Sequence, residues 1–344
     1  MAPPFDDGLL DDEAALARAD QDLRRIAEAG ARVRLESSTS AEPLAEAVSR
    51  LAESRPRAIV AAGPDSRLLR AVLEPTCPVP FVAWPGPGLP GWAGALDLVV
   101  VLAPDGADPG TAAGVAEAVR RGCQLVVATP DGSLVARHVP GRYSTLLPTV
   151  TGDQLATAVV MLDLLDRLDL GPSADPEVVA TALDDVAISC SPYRDLAVNP
   201  AKLLASGIAE TSPLLWGGTV LAARAARRIA ESLRRASGRA ALAADAEHLL
   251  PVLAAAPLAD VFADPFADED DDPRPSLVVL DDASLDPVVI ESRQRLVELA
   301  EARGLRVETV TSEAGGDVAR YAALLETGTF AARYLQIGLV DTTD

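Results

Sequence analysis

The segment from Val99 to Arg121 constrains the fold more strongly than any other part of the chain. It begins with the apolar run Val99–Leu102, continues through a loop rich in Gly, Pro and Asp, and passes into a helical pattern at Thr111–Arg121. This order is typical of a strand, a turn and a helix N-terminus. In an open α/β sheet, ligands gather at the carboxyl ends of strands, above helix N-termini. The sequence therefore predicts an α/β fold with a candidate site at this loop.

The side chains of this loop oppose the ligand that its position favours. Asp105 and Asp108 stand where a phosphate-binding loop is expected. At a separation of ~4 Å and an effective dielectric of ~20, a carboxylate and a phosphate charge repel by roughly 4 kcal/mol. That exceeds the ~1 kcal/mol contributed by a typical hydrogen bond. Position and chemistry thus give opposite predictions for anion binding here.

Strand and helix patterns alternate along most of the chain, which predicts doubly wound parallel sheets. The 344 residues favour two domains, and the Gly171–Pro176 stretch is the best linker because it breaks both periodicities. We expect domains at 1–172 and 173–344. The first begins with helices at Asp11–Gly30, where Gly30 is the stop, and at Ala41–Ser54. The second ends in a long helix that begins at Asp317.

Composition narrows the classes of partner. The formal net charge is −21, which argues against nucleic acid and anionic membrane surfaces. No apolar run reaches transmembrane length, and the three cysteines lack metal-ligand spacing, so we expect a cytoplasmic protein without a metal or cofactor. The acidic run at 260–275 lacks the order of ligands in a calcium-binding loop, which favours a solvated insertion.

Three stretches of the second half carry a family resemblance. Asn199–Ala205, then Pro213–Gly217, then Ala223-Arg224 resemble the second sugar isomerase (SIS) domain of the bifunctional phosphoglucose/phosphomannose isomerases. The end of the chain, from Arg320 to Asp341, resembles the C-terminal helix of that family. The acidic, lysine-poor composition is similar to that of the divergent actinobacterial TobH-type branch.

The first half resembles the same family at its turns, and the likeness extends over about residues 20–341. Gly63–Ser66 stands at a Gly-Gly-Ser position of the family, Asp105-Gly106 at a Ser-Gly-Asn-Thr position, and Thr129–Leu134 at a Ser-Gly-Gly turn. The resemblance implies two SIS-type α/β/α sandwich domains, a homodimer, and a sugar phosphate or related carbohydrate derivative as ligand. It implies these ligand-binding residues: Gly63, Ser66, Asp105, Gly106, Gly132, Ser133, Gly217 and Arg224.

The family's catalytic groups are missing from the matching positions. Aldose–ketose isomerisation needs a carboxylate base and a ring-opening acid or base. If Leu250-Pro251 corresponds to the family's Leu-Pro-Glu, the stretch 234–244 contains no acid and the stretch 253–257 contains no histidine. The family lysine near the C-terminus is absent too. Glu247 and His248 are weak substitutes, because adjacent residues of a helix point apart.

Three functional hypotheses follow from this comparison. We place first an SIS protein that binds a phosphosugar, has lost catalysis and acts as a regulator. The second is an active isomerase that interconverts glucose-6-phosphate or mannose-6-phosphate with fructose-6-phosphate. The third is an interaction module without a small ligand, contacted through the acidic run at 260–275.

Overall fold

The computed structural model describes residues 4–53, 55–258 and 273–340. The helices are α1 Glu13–Ala27, α2 Ala29–Leu51, α3 Ser66–Leu73, α4 Pro109–Arg121, α5 Gln154–Arg167, α6 Pro176–Ser189, α7 Pro200–Ile208, α8 Val220–Ser237, α9 Ala246–Ala255, α10 Pro287–Ala302 and α11 Asp317–Gly338. The strands are β1 Ile59–Ala62, β2 Phe81–Trp84, β3 Leu98–Leu102, β4 Gln124–Thr129, β5 Ser144–Pro148, β6 Ser212–Gly217, β7 Leu242–Ala243, β8 Pro275–Asp281 and β9 Val307–Thr311. The predicted α/β fold with a long C-terminal helix is confirmed.

The chain forms two compact units, and one of them is not contiguous in sequence. Ala29–Thr181 forms one unit, called here the middle unit. The described residues of Met1–Glu28 and Ala182–Asp344 form the other, called here the terminal unit. The helix α1 belongs to the terminal unit because it packs on α11.

The middle unit is built on a parallel sheet with the strand order β2-β1-β3-β4-β5. Val99 in the central strand β3 pairs with Val60 on one side and Leu125 on the other. Every residue of β3 is buried, which explains why its sequence is a continuous apolar run and not an alternating one. The change of strand order between β1 and β3 creates a crevice position at the carboxyl edge of the sheet.

The terminal unit contains a second parallel sheet, with the order β7-β6-β8-β9. Leu214 of β6 pairs with Leu277 of β8, and Val279 of β8 pairs with Thr309 of β9. One face of this sheet packs on α9 and α10 through a cluster that includes Leu249 and Leu296. The helix α11 packs mainly on α7 and α8.

Polar side chains define where many of the helices begin. Asp12, Asp153, Asn199 and Asp286 each accept a hydrogen bond from a backbone N–H two or three residues later. Such caps satisfy amides that have no partner within the helix. They are the sequence signal that fixes the starts of α1, α5, α7 and α10.

The predicted helix stop at Gly30 is wrong. The helix α1 ends at Ala27, and α2 begins at Ala29 and continues for 23 residues through Pro43. Gly30 is buried inside α2, and α2 packs against α5 and β5. Tertiary packing therefore outweighs the weak helix propensity of glycine here.

Two further sequence predictions concern the acidic insertion and membrane-spanning segments. Residues 260–272 of the predicted acidic insertion lie outside the described part of the chain. None of the helices in the described part has both the length and the apolar character needed to cross a bilayer.

Candidate functional site

The loops after β1 and β3 meet at the carboxyl edge of the sheet in the middle unit. Gly63 has a backbone φ of +91°, a conformation that favours glycine. A Cβ atom at Gly63 would lie 3.2 Å from the hydroxyl oxygen of Thr111, in the first turn of α4. Gly63, in the loop after β1, is thus packed against α4, the helix that follows the loop after β3.

The loops after β3 and β4 are also brought together, as the parallel sheet requires. Gly106 has a φ of +63°, and a Cβ atom there would overlap Ser133 and lie 2.7 Å from Thr129 Oγ1. The hydroxyl groups of Thr129 and Ser133 are 3.2 Å apart, and Ser133 Oγ accepts from the amide of Ala136 at 3.1 Å. Gly132, with a φ of +72°, completes the turn. These predicted residues form one cluster, in which the Ser133 hydroxyl already has partners.

The helix α4 carries an anion of its own at its N-terminus. Asp108 Oδ2 accepts hydrogen bonds from the Thr111 hydroxyl at 2.6 Å and the Thr111 amide at 2.7 Å. These bonds lower the pKa of Asp108 and hold it ionised. The carboxylate thus occupies the place that a ligand phosphate would take at this helix. Asp105 closes its own turn by accepting from the amide of Ala107 at 3.1 Å.

The start of α3 keeps a polar group without a partner. Ser66 is 1% exposed, and its hydroxyl has no hydrogen-bond partner among the described residues. No side chain caps this helix, since the carboxylate of Asp65 accepts a bond from the Gln154 amide. Ser66 is therefore a predicted site residue of the middle unit whose hydroxyl group has no hydrogen-bond partner among the described residues.

A cleft of about 460 Å³ opens at the carboxyl end of β6 in the terminal unit. Its walls come from four elements: the loop Gly217–Thr219, Arg227 of α8, Asp245 and Glu247 at the start of α9, and Val288 of α10. Several segments distant in sequence thus converge on one concavity. This is the usual arrangement of ligand sites in α/β proteins.

The two glycines of this cleft are required by close approach. A Cβ atom at Gly217 would lie 2.6 Å from the backbone nitrogen of Ala223 and even closer to Ala222. A Cβ atom at Gly218 would lie 2.9 Å from the ring of Trp216. The chain can therefore turn directly from β6 into α8 only with glycine here, which leaves the helix start open to the cleft.

The start of α8 is capped by a neutral hydroxyl group, unlike that of α4. Thr219 Oγ1 accepts from the amide of Ala222 at 3.1 Å, and the same hydroxyl donates to the carboxylate of Asp282. The side chain that caps α8 is therefore uncharged. The carboxylate of Asp282 lies one hydrogen bond beyond this cap, near the positive end of the helix dipole.

Arg227 is the cation of the cleft. Its side chain is exposed and makes no hydrogen bond or ion pair with any described residue. Asp245 and Glu247 are also exposed, and the Asp245 side chain makes no capping bond to α9. The cleft thus combines one unpaired guanidinium group, a helix N-terminus and two carboxylates.

Of the predicted site residues in the terminal unit, Arg224 and His248 do not line this cleft. Burial raises the pKa of Tyr321 on α11, whereas the charge and a hydrogen bond of Arg224 act in the opposite direction. Arg224 therefore faces α11, because one face of α8 packs on that helix. His248 is exposed but is absent from the cleft wall, as expected for a residue adjacent to Glu247 on a helix.

The sequence patterns did not indicate Thr219, Arg227 or Asp245 as site residues. A threonine after two glycines and before a helical pattern is an N-cap signal, so Thr219 was detectable. Arg227 lies three residues after Arg224, on a helix with arginines around much of its circumference. Its orientation needed the position of α11. Among the described residues, no group of three or more His, Cys, Asp or Glu side chains is placed to hold a metal ion.

Residues 197–339 match the family model of the bacterial phospho-glucose isomerase C-terminal SIS domain. The matched segment includes Asn199–Ala205 and Pro213–Gly217, the stretches whose resemblance to an SIS domain was noted from the sequence. It contains β6–β9 and all the residues that line the cleft around Arg227. No curated protein matches the chain.

Solved structures are similar over nearly the whole chain. Tagatose-6-phosphate ketose/aldose isomerase from Escherichia coli has a TM-score of 0.64 and 14% identity, covering 93% of this chain and 93% of its own. The C-terminal domain of glucosamine-fructose-6-phosphate aminotransferase from Francisella tularensis has a TM-score of 0.60 and 13% identity, covering 92% and 95%. A glucose-6-phosphate isomerase like protein from Thermus thermophilus has a TM-score of 0.50 and 17% identity, covering 88% and 91%. At these identities the likeness establishes a shared fold.

Proposed function

We propose that this chain binds a phosphorylated sugar or a related carbohydrate derivative and does not isomerise it. The main observation behind this proposal is Arg227, which has no ion-pair partner among the described residues. It lies beside the Gly217–Thr219 loop, within the segment that matches an SIS domain. The names of two structural neighbours include sugar phosphates, tagatose-6-phosphate and fructose-6-phosphate. The fold supports carbohydrate-derivative binding, and the site residues support a binding role without turnover.

The cleft offers the chemistry that a phosphate needs. A guanidinium group binds phosphate oxygens through two parallel N–H donors. The first amides of α8 add donors at the same end of the cleft, where the Asp282 carboxylate offsets part of the helix dipole. Its volume of about 460 Å³ lies within the usual range for small-molecule pockets. Asp245 and Glu247 are hydrogen-bond acceptors for sugar hydroxyl groups.

The same residues argue against isomerisation. Transfer of a proton between C1 and C2 needs a carboxylate base, and opening of the sugar ring needs a second acid or base. The lining residues include two carboxylates, Asp245 and Glu247, but neither the histidine nor the lysine that the family resemblance leads us to expect. We infer that the protein senses or presents its ligand in a regulatory role.

One observation favours an active isomerase as a second candidate function. Glu247 lies in the same cleft as Arg227, so a carboxylate base and a phosphate-binding cation share one site. In this candidate, Glu247 abstracts the proton from a substrate whose phosphate is held by Arg227. In this candidate, His248 would have to act on the substrate although it does not line the cleft.

Calorimetric titration of the full chain with mannose-6-phosphate, glucose-6-phosphate and fructose-6-phosphate tests the proposal. We expect saturable binding that Arg227→Ala weakens by about tenfold or more, since a hydrogen bond to a charged group contributes about 1.5–3 kcal/mol. Arg235→Ala, an exposed arginine near the end of the same helix, is the matched control and should bind normally.

A coupled isomerase assay at micromolar enzyme separates the candidates. Binding without turnover supports the proposed function. Turnover that Glu247→Gln abolishes would establish the isomerase instead. Failure of all three sugar phosphates to bind at millimolar concentration, together with a stable protein complex in a pull-down, would favour the interaction module.

The homodimer implied by the resemblance is part of the same proposal. Light scattering on the purified chain is expected to give the mass of two copies. A single-copy mass at micromolar concentration would contradict it.

A further inference from the structure

A second pocket lies in the middle unit, at the opposite edge of its sheet from the loops described above. It has a volume of about 440 Å³ and is walled by residues at or just before the starts of β1, β3 and β4 and at or just after the ends of α2 and α5. In a parallel sheet these positions mark the amino ends of the strands. The proposed sugar-phosphate cleft belongs to the terminal unit, so the two sites share no residue.

Three arginines line this pocket in a chain that is strongly acidic overall. Arg55, Arg57 and Arg167 contribute to its wall, and Asp169 is the single acidic residue among the lining residues. Arg55 is exposed and makes no hydrogen bond or ion pair with the described residues. The pocket therefore gathers cationic groups against the charge of the protein, whose net charge is −21.

Two of these guanidinium groups are fixed by buried carboxylates. Asp97, fully buried, accepts from Arg57 Nε at 2.9 Å and Nη2 at 2.6 Å, and from the amide of Gly94 at 2.8 Å. Asp163 accepts from Arg167 Nε at 2.8 Å and Nη2 at 2.9 Å. In both arginines Nη1 makes no hydrogen bond with a described residue. The pocket thus has preorganised donors whose orientation does not depend on a ligand.

These pairs limit the charge that the pocket offers. Asp97 and Asp163 neutralise Arg57 and Arg167, so Arg55 supplies the unpaired positive charge, and Asp169 adds one negative charge to the same wall. Such a site suits a ligand with a single anionic head group better than a polyanion such as a nucleic acid.

The rest of the wall is apolar and includes one buried polar atom without a partner. Leu51, Leu96 and Leu170 line the pocket, and Leu96 is 69% exposed. The side-chain oxygen of Gln124 is buried and unbonded among the described residues. The wall therefore pairs an apolar surface with donors for an anion and one amide oxygen that can accept a hydrogen bond.

We propose that this amino-edge pocket binds a small organic anion with an apolar body, its carboxylate or phosphate head on the arginines and its body against Leu51, Leu96 and Leu170. A ligand of this class fits both halves of the wall, whereas a free sugar would leave the exposed Leu96 uncovered. Occupation of this pocket would make the middle unit a second ligand-binding module, independent of the sugar-phosphate site.

Titration calorimetry with defined probes tests this inference on the full chain. The probes are hexanoate and hexyl phosphate, with neutral hexanamide and inorganic phosphate as controls. We expect saturable binding of at least one of the two hexyl anions. The head group of the anion that binds, carboxylate or phosphate, identifies the chemical class of the natural ligand. Both controls should bind at least about tenfold more weakly, because each lacks one of the two contacts.

Variants of the wall distinguish this pocket from other surfaces. Arg55→Ala should weaken binding by about tenfold or more, whereas Arg67→Ala, an exposed and unpaired arginine on α3, should not change it. Leu96→Asp should abolish binding, whereas Leu35→Asp, at another exposed leucine of the middle unit, should not. Circular dichroism of each variant reports whether it is folded.

Failure of both hexyl anions to bind, equal binding of hexanamide, or unchanged binding in Arg55→Ala and Leu96→Asp would overturn the inference. Mannose-6-phosphate binding serves as the independent readout. It should respond to Arg227→Ala and not to Arg55→Ala, so that failure of one proposal is recognised separately from failure of the other.

Discussion

The ammonium group of Lys202 lies 2.7 Å from the carboxylate of Asp11, 191 residues earlier in the chain. Lys202 is the only lysine in the sequence and is fully buried. The backbone carbonyl groups of Pro192 and Arg194 accept from the same ammonium at 3.0 and 2.8 Å, and its charge lies 5.5 Å from the centre of the Tyr334 ring. This one side chain therefore ties the N-terminal segment to the rest of the terminal unit.

Removal of Asp11 is expected to destabilise the protein more than removal of Lys202. Asp11→Ala leaves a buried ammonium without its counter-ion, and should lower the free energy of unfolding by about 3 kcal/mol. Lys202→Met leaves the Asp11 carboxylate, whose side chain is 42% exposed and can be hydrated, so about 1–2 kcal/mol is expected. Urea denaturation followed by circular dichroism measures both values. Asp7→Ala, in the neighbouring turn, is the control, and equal losses in the two variants would contradict this account.

The cap of α4 predicts a pH-dependent contribution to stability. Asp108→Ala should lower the free energy of unfolding by about 1 kcal/mol at neutral pH, whereas Asp108→Asn should retain most of the cap. Hydrogen bonds from Thr111 place the pKa of Asp108 below its ordinary value of 3.8. The stabilisation is therefore complete above pH 3.8 and is lost as the pH falls through the folded-state value.

Denaturation of the wild type and the alanine variant at a series of pH values measures this contribution. The difference between them should shrink only below pH 3.8. A difference that vanishes already between pH 5 and pH 7 would rule out the cap as its source.

The sequence predicted most of the fold because local signals and packing agree along most of the chain. Helices such as α5 and α7 begin at polar caps, and β3 is a long apolar run. The strands β5 and β7 were missed for physical reasons. Ser144–Pro148 is an edge strand of mixed polarity that ends in proline, and Leu242–Ala243 has only two residues. Their pairing depends on neighbouring strands that no local pattern describes.

The candidate site was less predictable than the fold. The contact of Gly106 with Ser133 follows from two parallel strands ending at one edge, so the sequence could predict it. The orientations of Arg224 and Arg227 could not be predicted, because α8 carries arginines on several sides and only the position of α11 separates them. The pairing of Asp108 with Thr111 is a capping signal, but the sequence alone left open whether the carboxylate caps its helix or faces a ligand.

A buried glutamate on α2 predicts a second stability effect. Glu36 is fully buried, and its carboxylate accepts from the Val150 amide at 3.0 Å and from the Thr151 amide and hydroxyl at 2.6 Å each. Glu36→Ala leaves these donors without partners and should lower the free energy of unfolding by about 3 kcal/mol. Glu46→Ala, at an exposed position of the same helix, should stay within about 0.5 kcal/mol of the wild type.

Amide hydrogen exchange locates the effect of Glu36→Ala. Exchange at Val150 and Thr151 should accelerate more than exchange in β3. If the acceleration is the same across the middle unit, the glutamate does not act on this loop in particular.

The three cysteines should differ in reactivity. Cys123 and Cys190 are buried, whereas Cys77 is partly exposed, and all three are free thiols. Burial raises the pKa of Cys190 to about 11 and also raises that of Cys123. Because the thiolate is the reactive form, iodoacetamide at pH 8 should label Cys77 first.

Peptide mass spectrometry after a short exposure to iodoacetamide measures this order. In urea the three thiols should react at similar rates, which provides the control. Labelling of Cys190 as fast as that of Cys77 in the native protein would show that the terminal unit opens readily around it.

The discontinuous terminal unit sets an order of events during synthesis. The ribosome makes α1 before the whole of Ala29–Thr181 and makes its packing partner α11 after it. The middle unit can therefore close on its own while the chain is still growing. Until α11 emerges, the face of α1 that carries Ala15, Ala19 and Leu23 lacks the helix on which it packs in the native protein.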